Sequence, residues 1–320
     1  MTSKNNKLRI VFMGNPEFAV PSLEALHLAG HEIVAVVTGT DKRRGRGNEL
    51  SPSVVKSKAI ELGLNVIEQD SMRDPAFATR LSDLNADLFV VVAFKVLPPA
   101  LLAIPRIGSI NLHASLLPKY RGAAPIHWAV IRGESETGVT IFFLDEQVDT
   151  GKYLLQDRVE IGPDDTTGDV YNRLMKIGAN SLVHGVEMIA SGKYSLIEQD
   201  HAMSTSAPKI FPEQAKIDLN KSSQDVVNHI RGMNPFPTAW MMVDGKKFKV
   251  HRAREFELEQ SQISEDPNGF NSNSLMKLDG KLVANCADGM VELTEVQLEG
   301  KRSTSGEDFL RGYTGGLAIS

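Results

Sequence analysis

The sequence predicts an α/β fold whose larger part is a doubly wound, mostly parallel sheet, followed by a smaller β-rich domain. Three observations predict it. Short β-branched runs alternate with helix-like segments through the first half, a pattern that builds a parallel sheet covered by helices on both faces. Leu88–Ala93 (LFVVVA) is apolar without a break, as a central strand buried on both faces requires, and at six residues it is too short for a core helix. Towards the end of the chain, short strand candidates are separated by Asp-Gly pairs, the turn chemistry of antiparallel hairpins. A chain of 320 residues has length for one large or two medium domains with a sizeable core.

The elements follow in order. Leu8–Met13 (LRIVFM) reads as the first strand; Ala19, Leu23 and Leu26 then share one face of a helix that Gly30 can terminate. Ile33–Val37 is the second strand. Ser51-Pro52 supplies an N-cap and a first-turn proline before a helix over Val54–Leu62, and Asp74-Pro75 repeats the signal before Phe77–Leu84. Leu88–Ala93, Ile107–His113 and Val139–Leu144 read as further strands, and the stretch Tyr153–Val159 follows. From Asp165-Thr166 a helix carrying Val170, Leu174, Ile177 and Leu182 reaches about Ile189. Gln199–Gln214, with Ser204, Ser206, Pro208 and Pro212, reads as a linker between domains at 1–198 and 215–320. Beyond it come a short helix at Val226–Arg231 and strands at Ala239–Val243, Lys247–His251, Leu275–Leu278, Lys281–Asn285 and Val291–Val296, with Asp-Gly turns at Asp244, Asp279 and Asp288.

Composition excludes several classes. The single cysteine, Cys286, permits no internal disulfide and no CxxC metal site, so a reducing, cytoplasmic setting is expected. The longest apolar run, Leu88–Phe94, is seven residues against the roughly 18 a membrane helix needs, and Lys4 and Lys7 precede too short a run for a signal peptide. A formal charge of −5 argues against a wholly basic nucleic-acid binder. Charge is nonetheless uneven: Lys209–Arg254 carries nine Lys/Arg against four Asp/Glu, whereas Glu255–Gly300 carries two against ten. Lys246, Lys247, Lys249, Arg252 and Arg254 form an alternating basic strand fit for phosphates, with an ordinary solvated face as the plain alternative.

Chemistry concentrates between Ile110 and Asp149. Asn111 and His113 are two apart on a strand and so point to one face, while Leu112 points away. An amide beside an imidazole can hydrogen-bond a carbonyl oxygen that becomes an oxyanion, and the imidazole can relay a proton, which is the equipment of acyl transfer. Asp149, in the loop after the next strand, is expected to return to the same rim and orient His113. Gly14-Asn15-Pro16 after the first strand fits neither GxGxxG nor the P-loop pattern and reads as a plain turn. No GxSxG or HExxH is present, and Cys286 lies in the β-rich tail. His127, beside Trp128 with no acidic neighbour in sequence, reads as structural.

Asn111-x-His113 leading into Ser115-Leu116-Leu117-Pro118-Lys119-Tyr120-Arg121-Gly122-Ala123-Ala124-Pro125, with Asp149-Thr150-Gly151 beyond, resembles the folate-dependent formyltransferases. The start LRIVFMGNPEFAVPSLEAL, the stretch Lys42–Gly47 (KRRGRG) before Ser51-Pro52, and Asn234-Pro235-Phe236-Pro237-Thr238-Ala239-Trp240 extend the likeness over nearly the whole chain, towards the branch that acts on aminoacylated tRNA. The resemblance implies a Rossmann-like catalytic domain with a folate site, an OB-fold-like tRNA-binding second domain, 10-formyltetrahydrofolate as a donor consumed as co-substrate, initiator methionyl-tRNA as acceptor, and neither a metal nor a membrane; the chain is expected to act as a monomer. It assigns catalysis to Asn111, His113 and Asp149. Phe94, Ser115, Leu116, Leu117 and Pro118 become the folate wall, with the Ser115–Pro118 backbone offered to the donor. Lys42, Arg43, Arg44 and Arg46 become acceptor contacts on a flexible, self-repelling loop, Arg46 taking the place of the family's arginine that enters the acceptor stem. Two departures stand out: Ala93-Phe94-Lys95-Val96-Leu97-Pro98 replaces a usually glycine-containing segment, and Lys42-Arg43-Arg44 a usually proline-containing one. Formylation of a sugar nucleotide by the same centre, and a catalytically silent folate- or RNA-binding protein, remain the competing readings.

Overall fold

The structure is a computed structural model, in which residues 7–44, 49–257 and 275–319 are described. In chain order the first half comprises β1 (Arg9–Gly14), α1 (Val20–Leu28), β2 (Glu32–Thr38), β3 (Lys42–Arg44), β4 (Glu49–Ser51), α2 (Val54–Glu61), β5 (Val66–Glu68), α3 (Pro75–Asp83), β6 (Leu88–Val92), α4 (Pro99–Leu102), β7 (Gly108–His113), α5 (Pro125–Ile131), β8 (Glu136–Phe143), β9 (Tyr153–Glu160) and α6 (Thr167–Ser191). The second half comprises α7 (Ser223–Gly232), β10 (Ala239–Val243), β11 (Lys246–Phe256), β12 (Leu275–Leu278), β13 (Lys281–Asn285), β14 (Met290–Leu298), β15 (Thr304–Ser305) and α8 (Gly306–Gly312).

The chain forms two compact units. The first takes the residues through Pro125, Thr137–Glu160 and Tyr171–Ala207; the second takes Ile126–Glu136, Ile161–Val170 and the residues from Pro208. In the first, seven strands lie in the order β5-β2-β1-β6-β7-β8-β9. Pairing is parallel from β5 through β7. It turns antiparallel at β8, where Thr140 lies opposite His113 and Phe143 opposite Ile110. Every residue of β6 is buried, the signature of a strand covered on both faces. Val11, Met13, Ala35, Val37, Phe89 and Val91 alternate onto one face and pack with Phe77 and Leu81 of α3.

Local chemistry explains the boundaries. Asp74 accepts the Ala76 N–H at 3.0 Å and caps α3 as expected. The cap of α2 is Ser53, whose hydroxyl accepts the Lys56 N–H at 3.0 Å, and not Ser51, which belongs to β4. Pro52, lacking an N–H, sits in the extended approach rather than in the first turn. The basic stretch expected as a loop is the arm of a hairpin: Lys42, Arg43 and Arg44 pair with Ser51, Leu50 and Glu49.

The second unit is a sheet in the order β10-β11-β14-β13-β12, with β15 on β14, packed on α7 and α8 through Val226, Ile230, Phe248, Val250, Val296 and Phe309. Asp244 (φ 47°) and Asp279 (φ 50°) make the hairpin turns that Asp-Gly allows. Asp288 instead accepts the Ser223 N–H at 2.7 Å. The segment expected as a linker is divided rather than free. Ala207 is bonded within the first unit, donating to Arg121 O at 2.7 Å and accepting from Ala124 N at 3.1 Å, and the second unit resumes one residue later. Among the described residues no helix is long and apolar enough to cross a membrane.

Candidate active site

His113 ends β7 with its side chain buried, and both ring nitrogens have defined surroundings. Nε2 lies 2.8 Å from the Tyr120 carbonyl. A carbonyl oxygen only accepts, so Nε2 carries the proton and Nδ1 is left as the working nitrogen. Nδ1 faces Asp149 Oδ2 at 3.8 Å, an ion-pair separation too long for a direct hydrogen bond. A water or a substrate amine set beside the pair, within hydrogen-bond reach of both atoms, can carry a proton between them. Phe142, across from Asn111 on β8, meets the imidazole edge-on at 6.5 Å between centroids.

Asp149 reaches this place by a route that strand order alone did not suggest. Because β8 is antiparallel, Leu144 bonds Ser109 at the start of β7 (2.8 Å), the end opposite His113. The loop must therefore travel back, and three contacts hold it there. Gly122 N donates to Asp149 Oδ2 at 2.8 Å. Gln199 Nε2 donates to the carbonyls of Asp149 (3.0 Å) and Gly151 (2.7 Å), while its oxygen accepts from Arg121 Nη2 at 2.6 Å. Gly151 permits the loop's close return, since a Cβ there would fall 1.8 Å from the Phe143 carbonyl oxygen. Asp149 (φ 58°) and Tyr120 (φ 61°) both sit in the left-handed region, an arrangement that costs free energy and aims their polar groups at His113. Gln199 and the Tyr120 carbonyl carry no signature that sequence reading could use.

Asn111 is half-buried on the face shared with His113 by strand alternation. The turn that follows is braced rather than open. Thr140 Oγ1 donates to Ser115 O (2.6 Å) and accepts from Leu117 N (3.1 Å), Gln156 Nε2 donates to Leu117 O (2.8 Å), and Lys119 N donates to Leu116 O (3.1 Å). The carbonyls of Ser115, Leu116 and Leu117 and the Leu117 N–H are thus bonded within the chain, and this turn also carries the half-buried side chains of Leu116 and Pro118. Phe94 is partly buried against the core beside β6.

The basic residues differ among themselves. Lys42 and Arg43 are exposed on β3, and Arg44 closes that strand. Arg46 lies outside the described residues. On β11, Lys247 and Lys249 alternate with buried Phe248 and Val250, and the Lys247 ammonium lies 4.3 Å over the Trp240 ring. Lys246 is exposed at the turn. Beyond register shifts in β11, Arg252 comes within 3.9 Å of Glu295, and Arg254 bonds Glu292 through Nε (2.9 Å) and Nη2 (2.8 Å). Glu292 is only 8% exposed, so Arg254 is engaged in pairing a buried carboxylate, while its guanidinium stays largely in water. His127 Nε2 donates to the Phe236 carbonyl at 3.0 Å, and burial lowers the pKa of the ring, in keeping with a structural role. Burial also pushes the Cys286 thiol up to about 12, which leaves no thiolate nucleophile there at neutral pH.

Residues 8–186 match the formyl transferase family and residues 209–314 match the formyl transferase C-terminal domain, so the chain belongs to the formyl transferase family. Full-length relatives narrow the class. The chain is 45% identical to the methionyl-tRNA formyltransferase of Chlorobium luteolum over 309 residues, covering 96% of this chain and 97% of that one. It is 42% identical to the methionyl-tRNA formyltransferase of Moorella thermoacetica, covering 96% of each. Among solved structures it is similar to WlaRD, a sugar 3N-formyl transferase crystallised in the presence of dTDP and 5-N-formyl-THF, with a TM-score of 0.66, 20% identity, and coverage of 92% of this chain and 99% of that one. HypX from Aquifex aeolicus in complex with tetrahydrofolic acid gives a TM-score of 0.62 at 16% identity, with 98% of this chain and 48% of that one covered. At such identities the likeness concerns the fold alone.

Proposed function

We propose that the enzyme transfers the formyl group of 10-formyltetrahydrofolate to the free amino group of methionyl initiator tRNA. The observation that carries the chemistry is the His113–Asp149 pair, with Nε2 fixed on Tyr120 and Nδ1 aimed at a 3.8 Å gap closed by a carboxylate. The acceptor follows from relatives of that name that match the chain end to end, whereas the sugar-acting neighbours share only its fold.

In this reading the methionyl nitrogen attacks the formyl carbon, and charge moves onto the formyl oxygen. Asn111, on the face of His113, donates to that oxygen; such a donor contributes most when the negative charge is fully developed. The attacking nitrogen loses a proton into the gap between His113 Nδ1 and Asp149, where the carboxylate offsets positive charge appearing on the ring. The same proton is returned to the departing folate nitrogen, so the products are the N-formyl ester and tetrahydrofolate. The donor lies against Phe94, Leu116 and Pro118. The test is formyl release from 10-formyltetrahydrofolate with either methionyl initiator tRNA or an amino-sugar nucleotide added. Release is expected with the tRNA alone; release driven by the sugar nucleotide would overturn the acceptor assignment.

A further inference from the structure

Lys95, which stands where the resemblance expects a glycine-containing segment, has no part in the chemistry above. Its ammonium lies 2.9 Å from Asp70 Oδ1, 2.7 Å from Asp70 O and 3.3 Å from Gln69 O, which uses all three of its N–H bonds inside the protein. It is therefore unsuited to gripping a ligand. Asp70 in turn accepts from the Thr40 hydroxyl and from Thr40 N at 3.4 Å. One residue on, Asp41 takes Lys56 Nζ at 2.7 Å, and the same ammonium meets Glu68. Gly39, just before, donates to Asn15 Oδ1 at 2.7 Å. Three consecutive residues, Gly39 to Asp41, are thus tied to the ends of β1, β5 and β6 and to α2, and the next residue, Lys42, opens the basic hairpin.

That hairpin needs such a base. Its strands are three residues long, and among the described residues β3 and β4 pair only with each other, outside the seven-stranded sheet. A lone two-stranded ribbon is marginal in water, and three adjacent cations on one arm repel each other. We propose that Lys95 and Asp70 act as a positioning clamp that holds the base of the β3–β4 hairpin and so sets the affinity for the tRNA acceptor. The inference rests on the reading of the hairpin as an acceptor-binding element. A hairpin ordered beforehand loses less conformational freedom when the acceptor binds, so the clamp acts on acceptor affinity and leaves the His113 chemistry alone.

The sign of two substitutions separates this clamp from plain electrostatics. Removing Lys95 subtracts a positive charge and removing Asp70 a negative one, so a long-range field effect would weaken tRNA binding in the first and strengthen it in the second. A clamp weakens binding in both. The experiment uses the full-length enzyme with methionyl initiator tRNA and 10-formyltetrahydrofolate. Lys95→Met, Asp70→Ala and the double variant should each raise KM for the tRNA by about tenfold, without adding in the double, while kcat and the folate KM stay within about twofold. Lys95→Arg should restore the wild-type KM. Amide hydrogen exchange over residues 40–44, read without tRNA, should quicken in the same variants. Unchanged exchange, tighter tRNA binding by Asp70→Ala, or a change confined to the folate KM overturns the clamp. Faster exchange with an unmoved tRNA KM overturns its link to the acceptor, and if Lys42→Ala and Arg43→Ala also leave that KM unmoved, the failure lies in the acceptor-binding reading itself.

Discussion

The imidazole of His113 is useful because its two nitrogens are not equivalent. With Nε2 fixed on the Tyr120 carbonyl, rotation or tautomer exchange would break a buried hydrogen bond, so Nδ1 is held towards Asp149 before any substrate arrives. His113→Ala should accordingly lower the rate of the chemical step by about two to three orders of magnitude, within the usual worth of one positioned proton-transfer group, while folate binding changes little. Single-turnover formyl transfer measured beside folate affinity checks this; normal chemistry with weakened folate binding would remove His113 from the reaction. Asn111, His113 and Asp149 were readable in the sequence because their residue types and spacing carry chemistry. What holds them was not. Tyr120 contributes a backbone oxygen, to which its side chain is no guide, and Gln199 meets Asp149 from 50 positions away.

Strand pairing decides which cations of β11 face carboxylates, and composition could not. Counting charge placed Arg252 and Arg254 with Lys246, Lys247 and Lys249, yet the register shifts after Val250 bring the two arginines opposite Glu295 and Glu292 on β14. Arg254→Ala would leave the Glu292 carboxylate, 8% exposed, with Lys281 at 3.4 Å as its remaining ion-pair partner. The expected loss is about 1–2 kcal/mol of stability, less than for a fully buried pair because the guanidinium is largely in water. Denaturant unfolding measures it, and tRNA affinity under folding conditions should be unaffected; an intact stability with weakened tRNA binding would make Arg254 a phosphate contact instead. The same limit applies to the first unit. Periodicity located the strands of the parallel sheet, but β5, three residues long, gave too short a pattern, and the β3–β4 pair looked like a loop because each strand is three residues long and neither shows apolar alternation.

At the scale of the molecule, two responses to solution conditions follow from where charge is buried. Burial lowers the pKa of His31, His127 and His229, each from 6.5. The unfolded chain then binds protons that the folded chain refuses, so this stabilisation is complete above about pH 6.5 and is lost as pH falls through the lowered values. The urea midpoint should therefore drop between about pH 7.5 and 5.5, and a midpoint that rose on acidification would contradict the burial of these rings. The second response concerns the acceptor. A net charge of −5 repels a polyanion at long range, but salt screens that repulsion beyond about 8–10 Å, whereas the phosphate contacts proposed for Lys42, Arg43, Lys246, Lys247 and Lys249 would act at closer quarters. Each phosphate neutralised releases counterions, adding a bit under one unit to the fall of log affinity with log salt. Tight binding at low salt with a steep salt slope is thus expected from an acidic protein. Lys247→Ala with Lys249→Ala should reduce that slope by about one to two units and weaken binding to initiator and elongator tRNA alike, since phosphate contacts carry no sequence information. Filter binding across a salt series decides it: a slope unchanged by the two substitutions would show that these lysines are solvated surface, and that acceptor affinity arises elsewhere in the chain.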